Sequence, residues 1–202
     1  MTTRTPWFTS RSDLLSLLVV GAAVIVWQAI GLVASVARIL PNQDAPVDVM
    51  IMGATVDLPL GPDGAAVAAT VDTATLTVSD LPVATYVAAL GAAAVPPLAT
   101  IGVTVCVLLL SRRMLAGQFF SRTTTRLITA VSLLIAGGWV AWFGCSVLAS
   151  NGVLAQIADR AVMEQITFQV SWTPILASMA VGALAAAFHA GERLERETEG
   201  LV

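Results

Sequence analysis

The residues able to do chemistry are few and far apart. Cys106 and Cys145 are the two cysteines, and His189 is the single histidine. Each cysteine falls in a different apolar stretch. Helices running in opposite directions would hold the two thiols roughly 15 residues apart in depth, about 22 Å at 1.5 Å per residue. A disulfide needs Cα atoms within about 7 Å, so the expectation is two free thiols used in packing. A zinc site needs three or four ligands, and His189 has no His or Cys near it in sequence. It stands near the end of the last apolar stretch, where snorkelling or a hydrogen bond to the tail is expected. A proton relay would need several ionisable groups inside the apolar stretches. None has Asp, Glu, Arg or Lys at its middle, which weakens an ion-coupled transporter, an intramembrane protease and a voltage sensor together. No Gly-rich phosphate loop, H-E-x-x-H pair or triad-like set occurs. The sequence therefore predicts no catalytic residue, no metal, no cofactor and no enzyme.

The elements that would hold these residues follow from where charge is missing. Of the 202 residues, 57% are apolar and 11% charged, against about 25% charged in an ordinary soluble domain. That composition excludes intrinsic disorder. A net charge of −3 without a lysine argues against direct nucleic-acid binding. No charge occurs in residues 14–37, 81–111, 127–158 or 165–191, His189 being counted as neutral. About 20 apolar residues cross a ~30 Å hydrocarbon core, so each window holds one crossing. Trimmed by polarity, the predicted helices lie near 14–37, 85–111, 126–149 and 174–190. Backbone groups in lipid must bond within their own segment, which selects helices. The uninterrupted apolar run Leu14-Leu15-Ser16-Leu17-Leu18-Val19-Val20 is no barrel strand. The first window exceeds the 7–15 residues or so of a signal's apolar region and is expected to be an uncleaved anchor. The fold class expected is an all-α integral membrane protein of one membrane domain, 1–202, surrounded by the lipid bilayer.

Other polar and small residues have a place in that scheme. Gln28 lies mid-window beside Trp27, and its amide is expected to bond across helices. Pro96-Pro97 interrupts the second window, where a static kink is expected. Ser178, Gly182 and Ala186 recur at four-residue spacing, and Gly137 and Gly138 stand together. Such small faces allow close helix approach, within one chain or in a homo-oligomer.

Orientation follows from arginine. Eight of the ten basic residues fall on one face of a four-span topology: Arg4, Arg11, Arg112, Arg113, Arg122, Arg126, Arg193 and Arg196. Only Arg38 and Arg160 fall on the other. The Arg-rich face should be cytoplasmic, with both termini there and the chain in the inner (plasma) membrane.

Between the first two helices, residues 41–82 form the one long polar insert, expected on the extracytoplasmic side. Gly61-Pro62-Asp63-Gly64 predicts a tight turn. Residues 47–52 and 69–78 are rich in β-branched types and predict two to four short strands in a small hairpin or sheet. An isolated hairpin is marginal in water, so it should pack on helix ends or a second protomer. The periodicity of Leu154, Ile157, Ala158, Ala161, Val162 and Gln165 predicts a short amphipathic helix over 151–166, lying at the interface.

The cytoplasmic side then carries a loop at 112–125 and a tail at 191–202. Arg112 and Arg113 complement the C-terminal dipole of the second helix, Gly117 permits the turn, and Ser121 or Thr123 can cap the third helix. Phe119 and Phe120 can insert at the interface. With Arg122 and Arg126 the arginine segment is basic, whereas Glu192, Glu195, Glu197 and Glu199 leave the tail acidic. Two stretches carry a family likeness: Gly117-Gln118-Phe119-Phe120-Ser121, and Phe188-His189-Ala190-Gly191-Glu192-Arg193-Leu194 running on to a C-terminal Leu-Val. Together they resemble the bacterial membrane family known as domain of unknown function 2975, and the alanine-rich, lysine-free composition looks actinobacterial. The resemblance implies four helices, a G-x-x-F-S inner loop and an F-x-x-G-x-x-L tail, without an assigned activity.

The function expected is a non-enzymatic sensor, regulator or assembly protein. It would meet a cytoplasmic regulatory protein through Arg112, Arg113, Gly117, Phe119, Arg122, Arg126, Gly191, Leu194, Glu197 and Glu199. The alternative is a small transporter or channel subunit working as an oligomer, for which a continuous polar path past Gln28, Thr100 or Thr104 would be the mark.

Overall fold

The computed structural model describes residues 11–59, 61–62, 65–116, 121–157 and 171–199. In chain order these form α1 (Arg11–Ile39), β1 (Ala45–Leu58), β2 (Val67–Val78), α2 (Val83–Leu115), α3 (Arg122–Ile157) and α4 (Thr173–Glu199). All four helices contain a segment long and apolar enough to cross a membrane: Leu15–Ile39, Val83–Met114, Arg122–Ile157 and Thr173–Gly191. The helices outrun the windows trimmed by polarity. Arginines, threonines and glutamates at their ends are poor in apolar surface yet keep the helical backbone. Hence the segment 112–125 is mostly helix, with residues 112–115 in α2 and 122–125 in α3. The tail to Glu199 continues α4.

Contacts divide the chain into two compact units. One comprises residues 1–32, 96–139 and 172–202; the other comprises 33–95 and 140–171.

The first unit is held by small residues. Gly21 is buried, and a methyl group there would stand 2.8 Å from Leu108. Gly102 meets Leu134 and Gly138 meets Ala99 in the same way, at 3.0 and 2.8 Å. Ser132 Oγ donates to the Ser178 carbonyl at 2.8 Å, joining α3 to α4. Ser121 begins α3 as its cap, its Oγ accepting from the Thr124 N–H at 3.2 Å. Pro174 sits in the first turn of α4, where a missing N–H costs nothing.

The second unit is built around the hairpin. β1 and β2 pair antiparallel, the only sheet among the described residues. Ala45, Val47 and Val49 oppose Val78, Leu76 and Ala74, so one face is apolar at its base. The other face pairs Asp48 with Thr75, whose hydroxyl donates to Asp48 Oδ1 at 2.6 Å. Both strands extend beyond the β-branched runs that predicted them, and Gly53, at φ +79°, occupies a break in register between Met50 and Ala54. The apolar base packs with Ile39, Leu81, Ala88, Ala89, Ala149, Val153 and Leu154. At the connection, Gly61 N–H donates to the Ala65 carbonyl at 2.9 Å; Asp63 and Gly64 of the predicted turn lie outside the described residues.

Residues 151–157 continue α3 instead of starting an interfacial helix. The apolar periodicity read there is real, but Val153 and Leu154 are buried against the hairpin base. The rest of that expected helix, from Ala158, lies outside the described residues. α2 runs as one helix through Pro96 and Pro97.

Candidate functional site

The arginine segment is placed by two helix ends. Arg112 is exposed and Arg113 half-buried in the last turn of α2, and Arg122 and Arg126 are exposed at the start of α3. Gly117 and Phe119 lie outside the described residues, as do the side chains of Leu194, Glu197 and Glu199. Gly191 is half-buried on α4, and His189 is exposed beside it. The expected contact between the arginine segment and the tail therefore falls outside what is described.

The small-residue face divides. Ser178 is buried, its hydroxyl donating to the Ile175 carbonyl at 2.7 Å while its own carbonyl accepts from Ser132. Gly182 approaches Ser132, with 3.3 Å left for a methyl group. Gly138 packs, whereas Gly137 beside it meets nothing within 4 Å and Ala186 is exposed. Consecutive residues on a helix point about 100° apart, so Gly137 cannot share the face of Gly138. Gln28 is half-buried on α1. Cys106 and Cys145 are both free thiols, and Cys145 lies against Gly91.

Spacing in the sequence did not reveal the junction at the base of the hairpin. Asn42, in the left-handed region at φ +54°, accepts from the Leu81 N–H at 3.0 Å and donates to the Leu81 carbonyl at 3.2 Å. Its own carbonyl accepts from the Asp80 N–H at 3.0 Å. Tyr86 Oη donates to the Leu40 carbonyl at 3.1 Å. One side-chain amide thus ties the end of α1 to the chain entering α2. Met50 N–H on β1 donates to Ser150 Oγ of α3 at 3.1 Å.

Within the second unit lies a cavity of about 330 Å³, open to the surface at Asp48 and Thr73. Asp48, Thr73, Trp142 and Ser146 are its polar and aromatic lining residues, and Ala92 and Ala93 of α2 line it beside them. These residues come from four separate stretches, so no motif could announce them. Asp48 is held in place by Thr75, and Ser146 is buried. No group of three or more potential metal ligands occurs among the described residues.

Comparison with protein-family models, with curated proteins and with solved structures returns no match for this chain.

Proposed function

We propose that this chain is a multi-pass membrane protein, with both termini and the arginine segment in the cytoplasm and the hairpin on the opposite side. In this reading it is a non-enzymatic sensor, regulator or assembly protein whose cytoplasmic face meets a regulatory partner. The observation that carries the reading is the clustering of Arg112, Arg113, Arg122 and Arg126 on two helix ends joined by a connection of six residues. Arginines so close to membrane-length helices favour the cytoplasmic side and attract anionic headgroups. The acidic tail complements them in charge. Each exposed pair is worth only about 0–1 kcal/mol, weak enough for a partner to compete with. The resemblance of the inner segment and tail to domain of unknown function 2975 supports the same location.

Deleting residues 192–202 tests it. The truncated chain should insert as before, while site-specific crosslinking from Arg122 to cytoplasmic proteins should change in pattern or yield. The same crosslinks at the same yield would make the tail a helix end without a regulatory role.

A further inference from the structure

We propose that the cavity of the second unit binds a primary ammonium group carried on a short apolar body. This does not depend on the cytoplasmic-face reading.

The lining includes one charged residue, Asp48, which is exposed on β1 between the buried Val47 and Val49. Its Oδ1 already accepts from Thr75, which fixes the carboxylate on β1. Among the described residues of this unit the only cation is Arg38, whose Nε donates to the Ala34 carbonyl at 3.3 Å. Further acceptors come from the prolines of α2. Pro96 and Pro97 have no N–H, so the carbonyls of Ala92 and Ala93 lose the donor four residues on. Both alanines line the cavity. Thr73 and Ser146 add hydroxyls, and Trp142 adds an indole, whose face attracts cations.

Among the described residues, these acceptors and the carboxylate have no matching cation in the lining, and a positively charged donor complements them. A primary ammonium has three N–H donors and no acceptor, which suits a carboxylate together with carbonyl and hydroxyl acceptors. An anion would face Asp48 unfavourably, and a neutral solute would gain nothing from its charge. Ile39, Ala89 and Ala149 supply apolar wall for the body of the ligand. The volume lies at the low end of small-molecule sites, which run from about 300 to 1,000 Å³. Either a free alkylamine or the ethanolamine headgroup of a lipid presents this group.

The test uses the full chain in neutral detergent, with calorimetric titration of n-hexylammonium, n-hexanol and hexyltrimethylammonium. Hexylammonium should bind at least tenfold more tightly than either of the others. Asp48→Asn, which keeps an oxygen for Thr75, should remove the preference over hexanol. Asp57→Asn, farther along the hairpin, should leave it intact. Replacing both prolines, Pro96→Ala with Pro97→Ala, restores the missing N–H groups and should abolish the preference over hexyltrimethylammonium. Circular dichroism and thermal unfolding confirm that each variant is folded. Repeating the titration in nanodiscs of ethanolamine and of choline lipids separates the sources. Weaker binding in ethanolamine discs supports the site with a headgroup as occupant; equal binding supports it with a free amine. Equal affinity for hexylammonium and hexanol, an unchanged preference in Asp48→Asn, or equal losses in Asp48→Asn and Asp57→Asn would overturn the proposal.

Discussion

Gly152 and Gly31 are both helical glycines in apolar sequence, and their surroundings set them apart. A methyl group at Gly152 would run into the side chain of Thr85, whereas nothing lies within 4 Å of one at Gly31. Thr85 is buried and β-branched, so it has little rotamer freedom with which to yield. Gly152→Ala should therefore destabilise by about 1–3 kcal/mol through overpacking, read as a lowered thermal unfolding midpoint in detergent. Thr85→Ala should recover part of the loss, because it removes two of the three nearest atoms. Gly31→Ala should be neutral or slightly stabilising through helix propensity. If Gly152→Ala unfolds at the same temperature as the parent, the close approach of α2 and α3 here is wrong. Such differences were not legible in the sequence, where Gly137 and Gly138 also read as one packing feature. A glycine announces only that space is available; what fills that space is set by another helix. For the same reason Asp48, Trp142 and Ser146 carried no signal, since their proximity depends on how the hairpin seats on α2 and α3.

At the scale of elements more could be read. Membrane-length helices show as long charge-free windows because a bilayer excludes charge along a whole segment. The hairpin shows because two runs rich in β-branched residues flank the sequence Gly-Pro-Asp-Gly. Helix ends were less legible, since polar residues such as Arg122 and Thr125 extend a helix without adding apolar pattern. The stretch 151–157 misled in another way: its period is helical, but the apolar face meets the hairpin base. That base is tied to α3 by the Met50–Ser150 hydrogen bond, in which Ser150 is fully buried. Ser150→Ala would leave a strand N–H unpaired, costing about 1–3 kcal/mol. Amide hydrogen exchange should speed up at Met50 and its neighbours on β1, while α4 is unaffected. Unchanged protection at Met50 would mean that the strand is held without α3.

For the whole molecule, the sequence carries an account of topology through the unequal distribution of arginine. Among the described residues, four helices are long and apolar enough to cross a membrane. Their order places the 45–78 hairpin and the 116–121 connection at opposite ends of α2. If α2 crosses once, hairpin and connection must face different compartments, and in the proposed orientation the arginine-flanked connection is the cytoplasmic one. The most direct measurement is membrane-impermeant thiol labelling in intact cells, on a background with Cys106→Ser and Cys145→Ser. Asp57→Cys reports the hairpin and Gly117→Cys the connection. The account predicts that Asp57→Cys labels from outside in intact cells, and that Gly117→Cys labels only after the membrane is opened. Labelling of Gly117→Cys in intact cells, or protection of Asp57→Cys until lysis, would contradict it.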